Sequence, residues 1–74
     1  MIKKPLRITR HASERMLALN LTLFDLEKIQ ESGRVLREGR RKLRVVGRIK
    51  KGVVVLICVE YPDHIAIKTV VKGR

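Results

Sequence analysis

The chain contains no tryptophan, one phenylalanine and one tyrosine. Recognition built on stacked aromatics therefore has only Phe24 and Tyr61 to work with. A single cysteine, Cys58, excludes an internal disulfide and any cysteine-based metal site, and its apolar surroundings cast it as a small buried hydrophobe. No apolar run approaches the roughly 18 residues that cross a bilayer, and the opening MIKKPLRITR lacks the apolar core of a signal peptide. A soluble, cytoplasmic protein is expected. Asn and Gln occur once each against 23 Glu, Lys and Arg, a bias that points to a thermophilic source. Acidic residues are scarce: seven Asp and Glu face eighteen Lys and Arg, for a net charge of +11. Such a field on so small a surface steers polyanions. The expected partner is a nucleic acid, RNA before DNA, and no membrane.

Val, Leu and Ile supply most of the 45% hydrophobic content, enough for one core in one α+β domain spanning residues 1–74. Residues 6–9 alternate apolar and polar and form a candidate edge strand entered through Pro5. A helix follows from Thr9 or Arg10 to about Leu19, with Ala12, Met16 and Leu19 on one stripe and Asn20 as its left-handed cap. Thr22 opens a second helix, with Asp25 completing an approximate capping box. Leu23, Leu26 and Ile29 are its expected buried stripe and Gly33 its stop.

After Gly33 the period changes to two. Residues 35–37 read as a short strand, and Leu43, Val45 and Ile49 alternate with Arg44, Val46 and Arg48 in the next. Lys50-Lys51-Gly52 and Pro62-Asp63-His64 read as turns. Residues 53–61 are apolar on both faces up to Glu60, as in a central strand, with Val55 and Ile57 expected in the core. In the last strand Ile65, Ile67 and Thr69 are expected on one face, Lys68 and Lys72 on the other. Short connections favour two helices on one face of a four-stranded antiparallel meander, with residues 6–9 a candidate fifth strand.

No metal or cofactor motif is present: His11 and His64 lie far apart in sequence, with no carboxylate cluster and no glycine-rich phosphate loop. What remains is organised cations. Arg40, Arg41 and Lys42 lead from a loop into Arg44 and Arg48 on one strand face, and Lys68 is expected on the same sheet face two strands away. His11 and Arg15 stand four residues apart at the first helix start, so both side chains point to one side. An imidazole that moves protons beside a guanidinium that grips phosphate is what metal-free RNA cleavage requires. The cationic surroundings give His11 the base role, leaving Tyr61, His64 and Lys68 as candidates for the acid. The alternatives are a basic module that binds without cutting, and a protein-interaction module with an acidic partner.

The run Ile8-Thr9-Arg10-His11-Ala12-Ser13-Glu14-Arg15-Met16 resembles the T-x-HA-x-x-RM helix of a family of short uncharacterised bacterial and archaeal proteins. Residues 19–26, Gly33 and the closing residues 65–70 resemble that family's second helix, glycine and last strand. The family is similar to the RelE and barnase-like ribonuclease fold. The resemblance implies a toxin-type endoribonuclease, with His11, Arg15 and Thr69 as the matched catalytic positions and an acidic antitoxin as partner. Leu19 stands where the family often carries Arg, so that cation is missing.

Overall fold

The computed structural model describes residues 3–73. The order is β1 (Leu6–Ile8), α1 (Arg10–Ala18), α2 (Leu23–Ser32), β2 (Arg34–Arg37), β3 (Lys42–Ile49), β4 (Gly52–Glu60) and β5 (Ile65–Lys72). All five strands form one sheet in the order β1-β5-β4-β3-β2. The sheet is mixed, which corrects the all-antiparallel expectation: β2 to β5 form an antiparallel meander, while β1 runs parallel to β5 through Leu6↔Ile65, Arg7↔Ala66 and Ile8↔Ile67. Three residues of alternation carry no directional signal. Direction is set by the need to feed α1 back across the sheet.

Local chemistry fixes both helices. Thr9 caps α1 by accepting from the Ala12 amide. At the other end Asn20 adopts φ 59°, and the amides of Asn20 and Leu21 donate to the carbonyls of Leu17 and Met16. That is the Schellman arrangement, with Asn in the glycine position. It turns Leu21 inward beside Met16, both buried. At α2 the Thr22–Asp25 capping box is complete, each side chain accepting from the other's backbone amide. The chain leaves α2 at Gly33 in extended conformation, so this glycine is not a left-handed cap. A Cβ there would collide with the Ile29 carbonyl of α2 and lie 2.8 Å from Val45 Cγ1 of β3, so close packing against both the helix end and the strand requires glycine.

Both helices lie on one face, α1 over β5 and α2 over β3. The core between the layers includes Met16, Leu26 and Ile29 from the helices and Leu43, Val45, Val54, Leu56, Ile67 and Val70 from the sheet. Burial of a side chain such as Ile29 contributes about 1.5–3 kcal/mol. β4 lies at the centre of the sheet as expected, but Val55 and Ile57 point away from the helices and are only half-buried, while Val54, Leu56 and Cys58 fill the core. Leu23, expected in the α2 stripe, is the first residue of the helix and is 66% exposed, whereas Leu21, just before it, is buried. Among the described residues no helix is long and apolar enough to cross a membrane.

Candidate nucleic-acid interface and the α1–β5 corner

Strand register sorts the side chains. Partners across the sheet share a face, so the buried positions Leu43, Val45, Val54 and Leu56 define the helix-covered side. On the opposite, open face lie Arg34 and Leu36 of β2 and Lys42, Arg44, Val46 and Arg48 of β3. Val53, Val55, Ile57 and Val59 of β4 continue it, followed by Thr69 and Val71 of β5. No strand position on this face is acidic. Four of the seven acids, Glu14, Asp25, Glu27 and Glu31, sit on the helices instead.

The expected cations Lys42, Arg44 and Arg48 therefore stand together, all exposed, and Arg40 and Arg41 extend the row through the β2–β3 loop. Arg44 Nε donates to Glu38 Oε1 at 2.9 Å, so that charge is partly answered. Arg34 joins the row from β2, a position whose face became legible only once its pairing with Val46 was known. Lys68 is displaced by a bulge. Cys58 pairs with Ile67 and Ile57 with Thr69, so Lys68 is the extra residue, exposed on β5 just past its pairing with β1. It lies two strands from β3, roughly 10 Å away at a spacing of about 4.8 Å per strand.

The bulge also reverses the alternation beyond it. Thr69 lies on the open face, opposite Ile67, and Lys72 pairs with Val54 on the helix side, both contrary to strict period two. Thr69 thus follows Lys68 on one side of β5 while α1 lies on the other. The register does not bring Thr69 onto the same face as His11 and Arg15.

The α1–β5 corner is held by Thr9. Its hydroxyl donates to the Ile67 carbonyl at 2.6 Å, with the Lys68 carbonyl 3.4 Å away. This fixes the start of α1 against the bulge. His11, second residue of the helix, is exposed and makes no hydrogen bond among the described residues. One turn on, Arg15 is half-buried and its Nε donates to the Val70 carbonyl at 3.4 Å. A guanidinium held through Nε keeps its two terminal nitrogens for another acceptor. Of the expected acid candidates, Lys68 is nearest this corner. His64 and Tyr61 stack at the β4–β5 turn with ring centroids 4.8 Å apart, and His64 Nδ1 lies 2.7 Å from Asp63 Oδ1. That hydrogen bond holds the Asp63 carboxyl below its ordinary range. Three residues of strand lie between His64 and Lys68, which are four steps apart, roughly 13 Å at about 3.3 Å per residue.

A separate cleft of about 320 Å³ opens on the helix side beyond the helices, lined by Lys3, Lys4, Val35, Arg37, Leu43, Glu60 and Ile65. Glu60 is the hub: Arg37 donates to Oε1 and Lys4 donates to Oε2, the latter at 2.9 Å. These bonds, Arg37 first, hold Glu60 below the usual carboxylate range. Sequence spacing gave no signal for this group, since Lys4, Arg37 and Glu60 are distant in the chain. Among the described residues no three His, Cys, Asp or Glu side chains converge.

A domain of unknown function, DUF4258, matches residues 8–72, and the chain belongs to that family. Among curated proteins and solved structures none matches the chain.

Proposed function

We propose that this member of the DUF4258 family is an RNA-binding endoribonuclease of RelE-like, toxin type, gripping RNA on the open sheet face and cutting it at the α1–β5 corner without a metal ion. The observation that carries the reading is the segregation of charge. Arg34, Lys42, Arg44 and Arg48 share a face with no acidic strand position, and Arg40 and Arg41 continue the row. Binding to phosphates through such cations releases counterions and is not sequence-specific. The valine-rich centre of the face, with no aromatic side chain among its strand positions, favours backbone contact over base stacking.

At the corner His11 removes the 2′-OH proton and the 2′-oxygen bonds to the adjacent phosphorus. The 5′-oxygen leaves with a proton from a separate acid, for which Lys68, His64 and Tyr61 are the candidates, giving a 2′,3′-cyclic phosphate and a 5′-hydroxyl end. Arg15, oriented by the Val70 carbonyl, stabilises the charge on the pentacoordinate phosphorus. Thr69 offers a hydroxyl on the face along which the strand approaches. The helix motif at residues 8–16 and the helix-on-sheet arrangement support the kinship with RelE and barnase-like ribonucleases. In that setting an acidic antitoxin protein would mask the cations.

A binding module without catalysis is the second reading. It is favoured by the lack of any hydrogen bond from His11 to Arg15 or Thr69 among the described residues. One experiment addresses both: labelled RNA titrated at several salt concentrations in EDTA, with products mapped for 2′,3′-cyclic phosphate ends. Contact with about five phosphates of a single strand gives a log–log slope of roughly −3.5. Salt-independent affinity, or none at low salt, overturns RNA binding. Binding without cleavage of any RNA, ribosomes included, selects the second reading.

A further inference from the structure

We propose that the free edge of β2 takes up an acidic, extended peptide segment as an added strand, seating alternate side chains in the cleft beside Glu60. Among the described residues β2 pairs with β3 alone, and all four of its residues are exposed. The Glu38 amide donates to the Lys42 carbonyl. Bonded and non-bonded pairs alternate in an antiparallel ladder, so the bonded set runs Glu38, Leu36, Arg34. The N–H and C=O groups of Val35 and Arg37 then point outward, away from β3. These two residues also carry their side chains on the helix face, where both line the cleft. One short segment thus presents a row of free backbone donors and acceptors and, beside it, a concavity for every second side chain of an incoming strand.

Charge selects the occupant. The cleft has an apolar floor, Leu43 and Ile65, and three cations, Lys3, Lys4 and Arg37, against the single carboxylate of Glu60. Glu60 has both oxygens engaged already, so a carboxylate entering here meets net positive charge. On the other side of the same edge stands Arg34. A second copy of this chain would bring Arg34 and Arg37 of both molecules to one seam, between bodies each carrying +11. RNA has no peptide ladder to match Val35 and Arg37, and no aromatic lines this edge. The apolar edge positions Val35 and Leu36, 38% and 44% exposed, suit aliphatic side chains of a peptide.

The test uses the intact protein and a short synthetic peptide alternating glutamate and valine, followed by amide NMR and hydrogen exchange. The expected result is protection of the Val35 and Arg37 amides on binding, with shifts along β2 and the cleft. A peptide N-methylated at alternate residues, and the variant Arg34→Glu/Arg37→Glu, each bind about tenfold more weakly or worse; the variant's amide spectrum reports that the fold is intact. Absence of binding, equal binding by the N-methylated peptide, or shifts confined to Arg44 and Arg48 overturn the proposal. So does protection of the same two amides by an RNA oligonucleotide but not by the peptide, which makes the edge part of the RNA surface. None of these readouts depends on RNA cleavage.

Discussion

Ile29 of α2 lies directly on Gly47 of β3: a Cβ built at Gly47 would sit 2.7 Å from Ile29 Cγ1. Ile29 is 1% exposed and has no room to yield. The missing side chain at Gly47 is what lets α2 approach β3. Gly47→Ala should therefore destabilise the fold by about 1–3 kcal/mol through overpacking. Ile29→Ala alone should cost about 2–5 kcal/mol by leaving a cavity. The double variant should cost less than the two together, since each change relieves the other. Urea denaturation of the four proteins measures the coupling, and strict additivity would show that the two residues do not press on one another.

Cys58 is 1% exposed, and burial pushes its thiol up to about 11. At pH 8 the native protein should thus carry almost no thiolate at this position, and a disulfide reagent should react only as fast as the chain opens. Full reaction on unfolding in urea supplies the reference. Rapid reaction of the folded protein would place β4 nearer the surface than it lies.

The helix ends were legible in the sequence because each is a local event. Thr9, Asn20 and the Thr22–Asp25 pair act within a few residues, and the structure uses all of them. The row of cations was legible for the same reason, as neighbours on one strand share a face at every second residue. The antiparallel meander of β2 to β5, with β4 at its centre, was legible from the short connections; what failed was the direction of β1 and which face each side chain takes once strands pair. β4 is apolar on both faces, so alternation cannot choose between Val54 and Val55 for the core; the position of the helices does. The bulge at Lys68 leaves no composition signal, yet it moves Thr69 and Lys72 to the faces opposite those that period two assigns. The Lys4–Glu60–Arg37 group is assembled from the chain's entry, β2 and β4 and was invisible to any spacing rule.

Two carboxylates tie distant segments and should make the fold acid-sensitive. Lys51 donates to Asp25 at 2.7 Å, joining the β3–β4 turn to the start of α2. That bond, then the Thr22 backbone, lowers the carboxyl's proton affinity. Glu60 is lowered by Arg37 and Lys4 in the same way. In the unfolded chain both groups take up protons near pH 4 or roughly there. Because their folded values are lower, their contribution is complete above that range and is lost as pH falls through it. Melting temperature should fall between pH 5 and pH 3, roughly the range of this titration, and Lys51→Ala should make the fall shallower. An unchanged profile in that variant would show that the pair contributes no linkage.

Arg48 is exposed and carries no salt bridge among the described residues, whereas Arg44 is paired with Glu38. A free cation loses nothing on meeting phosphate; a paired one gives up its partner first. Arg48→Ala should lower RNA affinity and reduce the salt slope by about 0.7, the share of one phosphate on a single strand. Glu38→Gln should do the reverse, raising affinity by freeing Arg44. Equal slopes across the three proteins would remove β3 from the RNA contact.

His11 and Arg15 sit one turn apart but are held differently, and the difference predicts how their variants diverge. His11 is exposed, unbonded and close to the α1 N-terminus, where amide groups add partial positive charge for an anion. It supports no packing, so His11→Ala should leave the melting temperature unchanged. It also adds little binding charge when neutral, so RNA affinity should hardly move. If it accepts the 2′-OH proton, its loss should cost about 10²–10³ in cleavage rate, the usual loss for such a group. Arg15 binds the edge of β5 through the Val70 carbonyl and is half-buried. Arg15→Ala should therefore reduce affinity and rate together and lower stability by roughly 0.5–1.5 kcal/mol, the range for one hydrogen bond. Arg15→Lys keeps the charge but not the planar donor set, and should restore affinity more than rate. The four proteins are compared by melting curve, RNA titration and single-turnover cleavage in EDTA. Cleavage that survives His11→Ala, or that appears only with magnesium, would remove the imidazole from the chemistry and leave Arg15 a binding residue.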